Sequence, residues 1–218
     1  MGKIKTNSEE SSGRRIAILD DGRRLIGSLK LITQSMVLET NIVELLTLWR
    51  NTHRRFFMTQ FEATPTRTRQ WLSEIVLEDR SRLMFMIADP SGESVGHVGV
   101  KRLDEPVIEL DNMIRGRSGG GGQLMYWAEV ALLNWLFAER EAKAVCLHVF
   151  TNNWIPIGIH QSIGFKIVDT YPLVRKEIDG ETYYMIGVEG GEIQKFKYAK
   201  MVLTDSGFEA FQLRKAGA

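Results

Sequence analysis

The segment Arg115-Gly116-Arg117-Ser118-Gly119-Gly120-Gly121-Gly122-Gln123 concentrates the residue types that hold an anion. Glycines let the backbone approach a phosphate closely, a following helix N-terminus supplies free N–H donors with partial positive charge, and Arg115 and Arg117 add full charge. No Lys followed by Ser or Thr closes the run, so it is not a P-loop. It also lacks the early position and the following acidic residue of a dinucleotide fingerprint. A flexible glycine linker is the competing reading. Just upstream, Glu109 and Asp111 stand two apart in a strand-like stretch and so share one face, with Asn112 on the other unless a β-bulge intervenes. His53, His97 and His148 are scattered without the spacing of a ligand pair, so no metal is expected. Cys146, alone in the chain, reads as a buried inert thiol.

The elements that must position these residues follow from pattern. Ile16 to Leu19, then Asp20-Asp21-Gly22, then Arg24 to Ile32 reads as a hairpin, because Asp-Gly accepts the positive φ angles of tight turns. The strand from Ile26 is expected to continue to Leu38. Asn41 with Glu44 three residues on predicts a capped helix through Asn51. Thr64-Pro65 opens a second helix, with Pro at a position where no hydrogen bond is lost. Residues 82–103 read as strand, turn and strand around Pro90-Ser91-Gly92, and Val107 to Ile114 as a further strand. The segment LMYWAEVALLNWLF is apolar on nearly every side, which predicts a buried helix against a sheet. A strand from Ala144, a short helix ending near Gly164 and two strands around Ile178-Asp179-Gly180 complete the order. The fold class is α/β (α+β), a mixed layered sheet with helices on its faces. Residues 1–23 are taken as an N-terminal extension, 24–189 as the main domain, and 190–218 as a C-terminal extension of a strand and a short helix capped at Thr204. Phe208, Phe211 and Leu213 on that helix need cover, either from the main domain or from a second subunit as a homodimer.

Composition bounds the function. The chain has 218 residues, 44% apolar and 25% charged, with a formal net charge of +1. These are ordinary values for a soluble globular protein, against wholesale disorder or a fibrous repeat. Charge near zero gives no reason to expect nucleic-acid binding. One cysteine permits no internal disulfide and fits a reducing compartment. The polar N-terminus lacks an apolar leader core, and no stretch approaches the ~18 apolar residues of a membrane span, so a cytoplasmic location is expected. Gly2 with Thr6 matches a myristoylation signal only loosely, and a flexible N-terminus is the preferred reading.

With Val145 to Phe150, Asn153 and Gly164-Phe165 following the glycine run, the sequence resembles the GCN5-related N-acetyltransferase (GNAT) superfamily over roughly Leu38 to Glu189. Arg117, Gly120 and Gly122 fit its Arg/Gln-x-x-Gly-x-Gly loop, and the strand, Asn, short helix and Gly-Phe pair fit its next segment. The resemblance implies a mostly antiparallel sheet and an acyl-CoA-dependent N-acyltransferase, with acetyl-CoA or another short acyl-CoA as co-substrate. Its pyrophosphate would lie at Ser118 to Gln123, flanked by Arg115 and Arg117. Pantetheine would lie in a splay between the strands at Val107 and Ala144, with Asn153 orienting it near the thiol. The backbone N–H near Met113 would polarise the thioester carbonyl. Asp111 first, and Glu109 second, would accept the proton that an ammonium must lose before it attacks. His160 replaces the Tyr with which many relatives protonate the leaving thiolate; a packing histidine is the alternative.

Within that superfamily, Trp49-Arg50-Asn51, the stretch Arg54-Arg55-Phe56-Phe57-Met58, Thr64, Trp71 and Leu110-Asp111-Asn112 resemble the subgroup that acylates amino sugars carried on nucleotides. That implies substrate contacts from Arg50, Asn51, Arg54, Arg55, Phe57 and Trp71. Arg67 and Arg69 are further cations for a diphosphate, and the aromatic rings offer a stacking face. The expected acceptor is a small-molecule amine, a nucleotide-linked amino sugar of a polysaccharide pathway. Acetylation of a protein N-terminus or ribosomal protein, and a non-catalytic acyl-CoA-binding module, stand as alternatives.

Overall fold

The computed structural model describes residues 13–217, so the stretch carrying Gly2 and Thr6 lies outside the described residues. Ten strands form one sheet: β1 (Arg15–Leu19), β2 (Leu25–Leu31), β3 (Thr59–Gln60), β4 (Leu83–Ala88), β5 (Ser94–Lys101), β6 (Val107–Arg115), β7 (Ala144–Phe150), β8 (Lys166–Ile178), β9 (Glu181–Ile186) and β10 (Glu192–Thr204). Their spatial order is β1-β2-β4-β5-β6-β7-β10-β8-β9-β3. Neighbours are antiparallel except β6 and β7, which run parallel over Val107 to Glu109 and Ala144 to Cys146. A parallel pair needs a long crossover, and helix α4 (Leu124–Ala138) supplies it. The other helices are α1 (Gln34–Leu38), α2 (Thr40–Thr52), α3 (Pro65–Trp71, continued as a π-helical turn over Leu72–Leu77), α5 (Trp154–Ile163) and α6 (Asp205–Ala216), with a 3-10 turn at Arg54–Phe56. This is the mixed, mostly antiparallel architecture with helices on both faces that the sequence predicts.

Two apolar layers flank the sheet, as a sheet buried on both sides requires. On one side α4 and α6 pack on Phe85, Ile108, Leu110, Val145 and Leu147. On the other, α1 to α3 bring Val43, Leu46, Trp49, Leu72 and Val76 against Met84, Met86 and Ile114. Strand β4 feeds both layers by alternation and is buried along its whole length.

Two local expectations are corrected. Strand β2 ends at Leu31, and Gln34–Leu38 is helical, with Val37 buried in the second layer. Asn41 does not cap α2. The helix begins at Thr40 directly after α1, and the Asn41 side chain accepts instead from the Ile42 N–H at 2.9 Å. The expected helix start at Thr64-Pro65 is present, with Pro65 at the first helical position, and the Thr64 hydroxyl accepts from Arg67 N–H at 3.2 Å.

Strand β10 is the centre of the second half of the sheet, pairing with β7 on one side and β8 on the other. Helix α6 follows, capped by Thr204, whose hydroxyl accepts from Gly207 N–H at 3.1 Å. Phe208 and Phe211 are buried in the α4 layer, while Leu213 stays 74% exposed.

Candidate active site

The glycine loop is a built structure. Gly116 and Arg117 both donate their N–H to the Val95 carbonyl, at 2.9 and 3.2 Å. Arg115 Nη2 donates to the carbonyls of Gly119 and Gly121, at 2.9 and 3.1 Å, and so fastens the loop from inside. Arg117 Nη2 meets Glu93 Oε2 at 2.5 Å. Gly119, Gly120 and Gly121 have φ of 152°, 62° and 79°, a region that side-chain-bearing residues avoid. A Cβ on Gly120 would lie 2.3 Å from Leu124 Cδ2, whereas Gly121 and Gly122 face open space.

Helix α4 begins immediately after. Its first backbone bond runs from Trp127 N–H to Gln123 O, 3.0 Å, and no side chain caps Gln123. The N–H groups of the first turn therefore lack intrahelical acceptors. Open glycine backbone, free donors and a dipole of the right sign fit the phosphates of an acyl-CoA. Ser118 to Gln123 are the residues that would hold them, and the thioester carried by such a ligand supplies the activated acyl group.

Next to the loop, β6 is irregular. Its register with β5 shifts between His97 and Gly99, so Asn112 and Met113 together stand opposite Val98, and Asn112 has φ of 50°. This bulge puts Asn112 on the face of Glu109, Asp111 and Ile114, and the opposite placement expected for a regular strand is thereby reversed. Asn112 Nδ2 donates to Asp111 Oδ2 at 2.9 Å. Parallel pairing with β7 stops at Glu109 and Cys146, although β6 runs on to Arg115 and β7 to Phe150. Beyond that pair the backbone edges of both strands are unpaired with each other.

A cavity of about 460 Å³ opens on the bulge from the α2–α3 side. Its walls include Arg50, Phe57, Phe61, Arg67, Trp71 and Tyr183, and its floor His97 and Asn112. Arg50 stacks over Phe57 at 3.6 Å and donates to the Thr59 carbonyl at 2.7 Å, but its other terminal nitrogen, Nη1, is buried without a partner. Burial and the nearby Arg67 charge lower its guanidinium to about 10, so it stays charged at neutral pH. Arg67 lies over Phe61 at 3.5 Å and pairs with Glu181 at 2.5 Å. His97 stacks on Trp49 with centroids 6.0 Å apart, and burial lowers its pKa to about 3.

A second polar cluster lies on the same sheet face, opposite α4. Glu109 is 8% exposed, 2.9 Å from His148 Nδ1, 3.1 Å from Lys101 Nζ and 2.9 Å from Arg102 Nη2. Burial pushes its pKa up, but the His148 hydrogen bond and the Lys101 charge outweigh that and hold it below the usual range. Asp111 is half-buried, 3.7 Å from Arg82 and 3.9 Å from Lys101.

Of the residues singled out from sequence, Arg50, Phe57 and Trp71 meet in the cavity. Asn51 acts on the backbone, donating to the Ala63 carbonyl at 2.9 Å and accepting from Ala63 N–H at 2.8 Å. Arg54 and Arg55 stand on the exposed 3-10 turn, outside the cavity lining. Met113 is part of the bulge, and Asn153 forms the N-cap of α5, its N–H bonded to the Phe150 carbonyl at 2.9 Å. His160 is buried, its Nδ1 2.7 Å from Glu129 Oε1 and its ring edge-on to Phe165. His97, Phe61, Tyr183 and the Glu109–His148 contact were not legible, since only the sheet register brings them to this face. Among the described residues no group of side chains is arranged to hold a metal ion, and no helix is long and apolar enough to cross a membrane.

A glycine loop opening a helix, a bulged strand beside it, a parallel strand pair whose pairing stops short and a cavity on the bulge together make a layout suited to group transfer. Residues 39–166 match the acetyltransferase (GNAT) domain family. The chain therefore belongs to the GNAT acetyltransferases and is an N-acetyltransferase; the family generally uses acetyl-CoA. No curated protein matches the sequence. Among solved structures it is similar to a GCN5-related N-acetyltransferase from Brucella melitensis (TM-score 0.65, 14% identity, covering 88% of this chain and 81% of that one). It is also similar to FdhC, a nucleotide-linked sugar GNAT (TM-score 0.62, 12% identity, 88% and 93% covered). A third is RimL, a ribosomal L7/L12 alpha-N-protein acetyltransferase (TM-score 0.63, 12% identity, 88% and 94% covered). At these identities the likeness is one of fold.

Proposed function

We propose that the protein transfers an acetyl or other short acyl group from acyl-CoA to a primary amine on a small molecule that also carries an anionic group. A nucleotide-linked amino sugar is the acceptor that best fits. One observation carries this reading: Arg50 and Arg67 share an aromatic-lined cavity, and Arg50 Nη1 is buried there without a partner. A buried cationic donor left unpaired is costly, and a phosphate or carboxylate oxygen would satisfy it. Phe57, Phe61, Trp71 and Tyr183 add stacking faces for a base or sugar ring. The amine would reach the bulge at Asn112 and Met113, where the Met113 N–H polarises the acyl carbonyl. Asp111 and Glu109 lie at the end of the site where the amine must lose its proton, and transfer is by direct attack in a ternary complex.

The test compares three acceptors: a nucleoside-diphosphate-linked aminohexose, the same aminohexose free, and a peptide with a free N-terminus. Arg67→Gln should raise KM for the linked sugar about tenfold, the value of one charge-assisted contact, and leave the free sugar within twofold. Equal effects on both would remove the anionic acceptor. Turnover of the peptide alone would make the protein an N-terminal acetyltransferase.

A further inference from the structure

We propose that His148 is the general base of the transfer and Glu109 its positioning residue, an inference that rests on the acyltransferase reading above. The parallel register of β6 and β7 ends at Glu109 and Cys146. Extended by two residues, it sets His148 level with Asp111, where the strands begin to part and one step below the bulge at Asn112. The side chain lies on the face of the acceptor cavity, because Val145, Leu147 and Val149 belong to the α4 layer. His148 Nδ1 is 2.9 Å from Glu109 Oε1, and the ring stacks on Tyr198 with centroids 5.2 Å apart and 20° between planes.

Those two contacts fix the imidazole. Glu109 is held ionised by Lys101 and Arg102 at 3.1 and 2.9 Å, so it accepts the Nδ1–H and directs the lone pair to Nε2. Among the described residues Nε2 has no hydrogen-bond partner. A carboxylate engaged by three cationic or hydrogen-bonding neighbours is a weak proton acceptor, whereas an imidazole held through Nδ1 presents a free lone pair at Nε2. The charged and titratable groups around His148 are Glu109 and Asp111 on β6, Lys101 and Arg102 at the end of β5, Arg82 before β4, Cys146 on β7, and Tyr198 and Lys200 on β10. Burial raises the Tyr198 hydroxyl, so it stays protonated and contributes no competing charge.

The proton balance is as follows for an acceptor that arrives as an ammonium ion. One N–H proton passes to His148 Nε2, directly or through one water, and frees the nitrogen lone pair. The C–N bond forms as the acyl C–S bond breaks. A second N–H proton goes to the departing thiolate, and His148 releases its own to solvent.

The experiment follows acetyl transfer to the three acceptors above by wild type, His148→Ala and Glu109→Gln, from pH 5.5 to 9. His148→Ala should lower kcat about 100-fold with KM nearly unchanged, lose the acid limb of the pH profile, and recover partly with added imidazole. Glu109→Gln should keep the limb and lower kcat about tenfold, because the ring loses the partner that holds its orientation. Retained acetyl-CoA binding by calorimetry shows that a variant is folded. If wild type turns over an acceptor and His148→Ala keeps both kcat within threefold and the limb, His148 is not the base and the acyltransferase reading stands. If wild type binds no acetyl-CoA and acetylates none of the three, that reading falls and this one with it.

Discussion

Gly116 lies against the face of Trp49 so closely that a Cβ on it would be 2.0 Å from Cδ2 and Cε2 of the indole. The contact joins the loop after β6 to helix α2, whose next residue is the cavity's Arg50. Trp49 is itself 2% exposed and cannot swing aside. Gly116→Ala should therefore cost about 1–3 kcal/mol by overpacking and raise KM for both substrates, since loop and cavity would shift together. Denaturant unfolding and steady-state kinetics check it; a stable variant with only acyl-CoA affinity reduced would show that the two sites are not coupled here.

Gly122 is the position that separates binding from folding. Open space surrounds its Cβ direction and its φ is not positive. Gly122→Asp should fold normally and yet lose acetyl-CoA affinity at least tenfold, because it sets a carboxylate among phosphate-binding donors. Calorimetric titration beside thermal unfolding reads both quantities. Undiminished affinity would turn the loop into a linker.

His160 and Glu129 form a buried pair between α5 and α4, with Glu129 fully inaccessible and its Oε2 unpartnered. Removing one member strands the other, so His160→Leu should destabilise by roughly 3–5 kcal/mol. Adding Glu129→Leu should restore part of that loss. With the thiolate able to leave unassisted, kcat of the folded variant should stay within threefold; a tenfold fall together with a lost basic limb would instead make His160 the acid that protonates it.

His97 gives stability a pH dependence with a definite sign. Its pKa falls from 6.5 to about 3 on folding because burial penalises the imidazolium. The unfolded chain then binds the extra proton, so the stabilisation is complete above pH 6.5 and is lost as pH falls toward 3. Between pH 7 and pH 5 the loss from this group is about 2 kcal/mol. His97→Phe should flatten the stability curve by about that amount, measured by urea unfolding at both values. An unchanged slope would mean that the imidazole accepts its proton in place.

Several local features of the candidate site were legible because their signals lie within one segment. The glycine loop ahead of an apolar helix was readable from Gly119 to Gly122, since backbone freedom and the helix terminus are properties of the segment itself. Thr64-Pro65 was readable as a helix start and Thr204 as a cap for the same reason. The helix at Gln34–Leu38 was not, because a short apolar stretch fits strand or helix equally and only burial of Val37 under α2 and α3 decides it.

The sequence by itself determined the class of fold and the family, because these rest on patterns within ten or twenty residues. Tertiary structure alone decided what stands beside what. The bulge turned Asn112 onto the face of Asp111, the β6–β7 register brought His148 to Glu109 across 39 positions, and β9, paired with β3, carried Tyr183 to the cavity of Arg50. No local pattern encodes such pairings, since a one-residue change of register would reverse the face of every side chain on the strand.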